Sequence, residues 1–346
     1  MKGPIAILGA RSLLGRHVVN IFQELHPDIA LEMWTQSDGV GNVNSVKRLI
    51  ACISEAELIV NCHEARDLSM APDLEALYSH NEQFVAEVLR NSTAPIIHIS
   101  STLVQCSDFW PNTYEPEREA SKYESRWPCK AYCKSKHLAE QELFASRRSA
   151  VVLRIPFLYG EEDWGSPVTD AVMAANIFGS IPNIGDRGGA FQMAYAGNVA
   201  NKVRLAAVEL LKGSFREREI IIVGDDTPVG DVYDNVVEAV AKNPKRPMST
   251  YNLPFLPLYY LYLVIGWLLL AVNKIFDVSG SLSKMPDPSL LYLIFHHWTF
   301  FNTNKSTNLL PDHEELSREY VVKKSRDHYA LMNPNRVRTS WQLHIE

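Results

Sequence analysis

Short apolar runs alternate with helix-length amphipathic segments along the first 155 residues, and this alternation leaves few folds open. Pro4–Leu8, Ile29–Met33, Leu58–Asn61, Pro95–Ile99 and Ala150–Ile155 read as strands. Between them Leu14–Leu25, Val46–Ile53, Leu74–Leu89 and Ala131–Ser146 read as helices. Strands that are apolar throughout, rather than at every second residue, are covered on both faces. Their alternation with helices predicts an α/β fold, a Rossmann-type doubly wound parallel sheet. Right-handed crossovers then place a ligand crevice at the C-terminal ends of the strands.

After residue 156 the regularity falls away. Residues 1–250 read as a dinucleotide-binding domain with substrate-side insertions after about 156, and residues 251–346 as a smaller C-terminal substrate region. The stretch Phe255–Val272, "FLPLYYLYLVIGWLLLAV", carries no charge over 18 residues. A spanning helix needs roughly 17–25 such residues, so spanning and lying in the interface are both open. Tyr259, Tyr260 and Tyr262 gather at one end and Lys274 follows the other, as in a helix that meets a membrane. The net charge of −6 argues against a nucleic-acid partner, which would ask for a basic surface. Cys52, Cys62, Cys106, Cys129 and Cys133 lack the paired spacing of a zinc site and read as reduced thiols, so no metal is expected. The N-terminus runs directly into a strand and reads as having no secretory signal.

The first strand leads into "LGARSLLG". A helix N-terminus offers unpaired N–H groups and a positive dipole end, which suit a pyrophosphate. Gly9 permits the tight turn and Gly15 a close helix–strand approach, while Arg11, Leu13 and Leu14 complete it. Ser12 stands where such turns often have a third glycine, and either crowds the ligand or donates to it. Tyr132 and Lys136 are four apart and share one helix face. A nearby ammonium favours the phenolate, so this pair can move a hydroxyl proton. Tyr320 and Lys324 share the spacing in the polar tail, where it reads as coincidence. Ser100 and Ser101 follow the strand "PIIHI" and can hydrogen-bond a reacting oxygen. His63 in "NCHEA" lies at a strand end beside the crevice. His296-His297 lacks the further ligands of a metal site.

The pieces "GARSLLGRHVV", "LIVNCHEA", "HNEQFVAEVL", "IHISSTLV", "YCKSKHLAEQ", "LRIPFLYGEED" and "AYAGNVANKVRLA" occur in one order over residues 5–210. In these the chain resembles an extended short-chain dehydrogenase/reductase, most closely the 3β-hydroxysteroid dehydrogenase/isomerase family. The later "YNLPFLPLYYLYLVIGWLLLAV" and "FFNTNKSTNLL" are similar to that family's C-terminal half. The resemblance implies Tyr132 as the acid/base, Lys136 as the lysine that tunes it and holds the nicotinamide ribose, and Ser101 as the catalytic serine. It implies Asn81 beneath the cofactor, Pro156 closing over the nicotinamide, and Tyr195 with Asn198-Val199 beside the substrate. Two departures are Ser12 and the acidic ribose-gripping residue after the second strand, for which "ALEMWTQSDG" offers Asp38 slightly late. Cofactor choice is open between NAD and NADP, with Arg11 able to meet a 2′-phosphate and the resemblance favouring NAD. It further implies a sterol-like substrate, possession or loss of isomerase activity being open, a homodimer, and the cytosolic face of the endoplasmic reticulum. A cofactor-sensing scaffold that has lost the chemistry, and an enzyme of a non-steroid substrate, are the alternatives.

Overall fold

The computed structural model describes residues 3–36, 43–108, 110–178, 180–185, 190–215, 218–224, 249–273, 275–276, 279–282, 285–312, 316, 318–332 and 339–345. Six parallel strands form its main sheet: β1 Ile5–Leu8, β2 Leu31–Trp34, β3 Leu58–Asn61, β4 Ile96–Ser101, β5 Ala150–Ile155 and β6 Arg218–Ile222. Their order across the sheet is β6-β5-β4-β3-β1-β2. The direction of winding reverses between β1 and β3, and a doubly wound sheet opens its ligand crevice at that point. All four residues of β1 and of β3 are buried, as unbroken apolar strands require.

One face of the sheet is covered by Leu13–Leu25 and Ala196–Leu211, through Val18, Phe22, Val203 and Ala207. The other is covered by Val43–Ser54, Phe84–Asn91 and Lys130–Ala145, through Ile53, Val85, Val88 and Leu143. The second strand starts two residues later than its sequence suggests, because the Ile29 amide donates to His26 O in the turn after the first helix.

The segment expected as one helix over Leu74–Leu89 is three pieces. An α-helix Leu74–Tyr78, N-capped by Asp73, leads into a π turn Ser79–Gln83 and then the helix Phe84–Asn91. The wide turn carries Asn81, whose amide group is held on both sides. Its Nδ2 donates to Ala65 O and Ser135 Oγ, and its Oδ1 accepts from Ala65 N, at 2.8–2.9 Å. One inserted residue is the local cost of this fixed backbone brace.

The C-terminal residues return to the body. Trp298–Phe301 lies between Ala190–Phe191 and Asn112–Glu115 in a three-stranded sheet, and His344–Ile345 pairs antiparallel with Ala65–Arg66. The expected loop over 183–189 and the proline-rich 243–257 fall partly outside the described residues, and Lys274 wholly so.

Beneath the crevice His63 packs edge-on to Trp34, against Phe84, and within 3.0 Å of His80, Nε2 to Nδ1. Burial holds the His80 imidazole down at about 4, from an ordinary 6.5, against a weaker opposing pull from Asp73. Between these two values the unfolded chain binds the proton that the folded chain refuses. The contribution is therefore complete above 6.5 and is lost as pH falls toward 4. In urea unfolding the His80 contribution is expected to make stability about 2 kcal/mol lower near pH 5 than near pH 8. His80→Gln is expected to shrink that difference.

Candidate active site

The turn after β1 is built by its backbone. Gly9 has φ +73°, a left-handed conformation, and a Cβ there would meet the His63 amide nitrogen at 2.7 Å. The Gly9 and Ala10 amides both donate to Trp34 O, locking the turn to β2. A Cβ on Gly15 would lie 2.1 Å from Gly9 O, so this glycine sets the closeness of helix to strand. Ser12 has φ −62° and ψ 164°, extended backbone open to any residue. Its Oγ accepts from Gly15 N at 2.9 Å, and the side chain is buried as the helix N-cap. The serine therefore folds back onto its own helix instead of crowding the crevice. Its hydroxyl satisfies one helix-end donor and leaves neighbouring N–H groups for a ligand.

From this turn a cleft of about 500 Å³ runs across the ends of the strands. Arg11, Ser12, Leu13, Leu14, Thr35 and Gln36 line one end. Ser101, Tyr132, Glu64 and Pro156 also line the cleft, with Asp163, Gly165, His344 and Ile345. A dinucleotide fits this set of features: a φ-positive glycine turn, a capped helix end facing the cavity, and polar Thr35 and Gln36 after β2. Asp38 lies outside the described residues.

Tyr132 and Lys136 sit on the helix Lys130–Ala145, both buried. Lys136 Nζ donates to Ile99 O on β4 at 2.7 Å. A third group joins them. Glu64 Oε2 accepts from the Tyr132 hydroxyl at 3.0 Å and lies 3.1 Å from Lys136 Nζ. Burial pushes the Glu64 carboxyl up, but the Lys136 and Arg66 cations outweigh it and hold it below its ordinary range. Burial, and then the Glu64 charge, push the Tyr132 hydroxyl well above the ordinary phenol range. The expectation that lysine lowers this phenol is thus corrected: Glu64 stands between the two and takes up the ammonium charge.

Ser101 Oγ accepts from Leu103 N at 3.2 Å, capping the short 3₁₀ turn Thr102–Gln105, and the residue is half-buried at the cleft. Ser100 turns inward, its Oγ donating to Glu140 Oε1 at 2.7 Å. Glu140 is paired with Arg154 through Nε at 2.9 Å and Nη2 at 2.6 Å, and Arg154 also donates to Gln105 Oε1 at 2.8 Å. This buried network ties the end of β4 to the tyrosine helix and to β5.

The residues expected at the cofactor separate into two groups. Arg11, Ser12, Leu13, Leu14, Tyr132 and Pro156 line the cleft, and Gly9 and Gly15 shape its turn. His63 is a correction: its ring turns into the aromatic packing of Trp34, Phe84 and His80, away from the cavity. Asn81 is a second: its amide is spent on Ala65 and Ser135, so it braces the wall from behind. Lys136 is screened from the cavity by Glu64. Tyr195, at the start of Ala196–Leu211, donates to Glu161 Oε2 at 2.7 Å, and Lys324 pairs with the same carboxylate at 3.2 Å. The Tyr320–Lys324 pair is accordingly a surface contact. His296 packs tilted and His297 edge-on against Tyr292. Glu64 was not anticipated, because "NCHEA" draws attention to its histidine and the strand pattern ends before it.

Sheet order, glycine turn and the Tyr132–Lys136 pair together define an extended short-chain dehydrogenase/reductase. The chain belongs to the RmlD substrate binding domain family, whose sequence profile matches residues 1–173. No curated protein matches its sequence. Among solved structures it is similar to MoeE5 in complex with UDP-glucose and NAD, with 13% identity and a TM-score of 0.65 over 94% of this chain and 98% of that one. A UDP-galactose 4-epimerase gives 14% identity and 0.65, again over 94% and 98%. The ADP-L-glycero-D-manno-heptose-6-epimerase of Helicobacter pylori gives 15% and 0.62, over 96% and 97%. At these identities the likeness is one of fold.

Proposed function

We propose that this chain is an NAD-dependent oxidoreductase acting on a secondary alcohol or ketone of a sterol-like lipid, in the manner of a 3β-hydroxysteroid dehydrogenase. The observation that carries the chemistry is Tyr132, on a helix with Lys136, lining the same cleft as Ser101 and the glycine turn. NAD bound in solved relatives of this fold supports the cofactor. The helix end at Leu13 and Leu14, with Arg11, would hold the pyrophosphate, and Thr35 with Gln36 the adenosine ribose. A nicotinamide held there would supply the hydride chemistry. Tyr132 Oη gives or takes the hydroxyl proton, Ser101 Oγ donates to the substrate oxygen, and Pro156 helps to exclude water.

The helix Phe255–Asn273 supports a lipid substrate. Among the described residues it is the one helix long and apolar enough to cross a membrane, with mean hydropathy 2.1. It packs on the body along one stripe, through Phe255, Tyr262 and Gly266. Phe255 stacks on His296, Tyr262 donates to Pro286 O, and Gly266 meets Met70. The opposite side is bare, with Tyr260, Leu261, Val264, Leu268 and a 76% exposed Trp267. A helix supported by protein along one side is suited to lie in the membrane interface. The family resemblance makes that membrane the endoplasmic reticulum, with the cleft on its cytosolic side. Purified protein is expected to float with phosphatidylcholine vesicles, and Trp267→Glu with Leu268→Lys to lower partitioning at least tenfold, roughly. Wild-type protein left at the bottom of the gradient contradicts the interface.

The substrate class is tested by following NADH formation together with chromatography of the products, with a 3β-hydroxysteroid presented in vesicles beside a UDP-sugar in solution. Turnover of the steroid alone is expected. Turnover of the UDP-sugar, which the names of the structural relatives favour, replaces the lipid by a sugar nucleotide.

A further inference from the structure

We propose that Glu64 is a positioning residue that fixes Tyr132 as a proton donor, by occupying the Lys136 ammonium and accepting the phenol's hydrogen bond through one oxygen. This rests on the reading of Tyr132 as the acid/base and concerns what sets its protonation. A tyrosine next to an unpaired ammonium is stabilised as phenolate. Here the ammonium already has a carboxylate 3.1 Å away, and that same oxygen is 3.0 Å from the phenol. Loss of the Tyr132 proton would remove the hydrogen bond and set two anions side by side, in a pocket where Tyr132 and Lys136 are almost wholly buried. The trio carries no net charge only while the phenol is protonated.

The other groups facing the trio leave this balance standing. Arg66, beyond Glu64, favours both anions, and its guanidinium also donates to Gly165 O at 2.8 Å. Burial keeps the Cys133 thiol protonated on the tyrosine's own helix. Burial, and then Lys136, keep His98 on β4 neutral. Asp163, across the cleft, holds hydrogen bonds from Tyr329 and Ser166. Glu64 is therefore the charge that decides. Its side chain is 19% exposed and lines the cleft, so it also meets whatever approaches the tyrosine. Tyr132 therefore rests in its protonated form, the form from which a carbonyl oxygen, turning into a strongly basic alkoxide, would take a proton to leave an alcohol. The reverse oxidation needs Tyr132 to pass its own proton to Glu64 as it takes the substrate's.

The test uses ligand-free protein, so that it stands apart from the identity of cofactor and substrate. Phenolate absorbance is titrated in wild type, Glu64→Gln, Glu64→Ala and Glu64→Asp. Each is paired with its Tyr132→Phe derivative, and the difference isolates Tyr132. In Glu64→Gln and Glu64→Ala, Tyr132 is expected to ionise at least one pH unit earlier, which is tenfold more phenolate at a given pH. Glu64→Asp, which keeps the charge, is expected to titrate close to wild type. The proposal is overturned if the uncharged variants titrate as wild type does, or if Asp shifts Tyr132 as far as Gln does. Wild-type ionisation of Tyr132 at or below the ordinary value of about 10 overturns it without any Glu64 variant. Absence of nicotinamide binding would remove the proposed function and leave this titration unaffected.

Discussion

Tyr132→Phe is expected to lower turnover by about 10²–10⁴-fold while NADH binding stays within about twofold of wild type. The change removes one oxygen. The ring remains packed in the core beside Leu103, Cys129 and Cys133, so the helix that carries it has no reason to move. Glu64 keeps Lys136 as its partner, and the lost hydrogen bond is expected to cost about 1 kcal/mol in stability. The effect on rate comes from the missing proton at the reacting oxygen, and it should fall on kcat. Steady-state kinetics and a fluorescence titration of NADH on the same preparation separate the two. Full activity in Tyr132→Phe would remove this tyrosine from the mechanism.

Glu140→Ala is expected to cost about 3–5 kcal/mol in stability. Arg154 and Glu140 are both almost fully buried, and removing the carboxylate leaves a guanidinium with no counter-charge within the sheet. Ser100 loses its acceptor in the same step, which loosens the end of β4 next to Ser101. Replacing the pair together, by Glu140→Leu with Arg154→Met, is expected to recover much of the loss, since apolar side chains of similar volume carry no desolvation penalty. Urea unfolding of the two variants beside wild type measures both effects. A single variant as stable as wild type would show that the ion pair is not what ties β4, β5 and the tyrosine helix together.

The parts legible in the sequence are those whose signal is local. The apolar runs at Ile5–Leu8 and Leu58–Asn61 are fully buried central strands, since an unbroken run has one parallel-sheet solution. Gly9 and Gly15 are where backbone geometry demands no side chain. Ser12 looked like a defect only because its role as a cap depends on φ and ψ, which its name does not disclose. Contacts between distant segments were out of reach. Arg154 reads as one charge inside "AVVLRI", and nothing local pairs it with Glu140 on a neighbouring helix. Glu64 becomes part of the site because the wall Ala65–Arg66, braced by Asn81 and by His344–Ile345, turns it toward Tyr132. His63 was the more visible residue of that stretch, and alternation past a strand end sent it into the core instead.

The central claim is that the cleft beside the Gly9–Gly15 turn holds a nicotinamide dinucleotide against Tyr132. Titration of the purified protein with NADH and with NADPH, followed by the cofactor's fluorescence, tests it most directly. Saturable NADH binding, weakened by Gly15→Val at a position where any Cβ meets Gly9 O, is the predicted result. Binding of neither nucleotide would contradict the account and leave the fold as a scaffold without its cofactor.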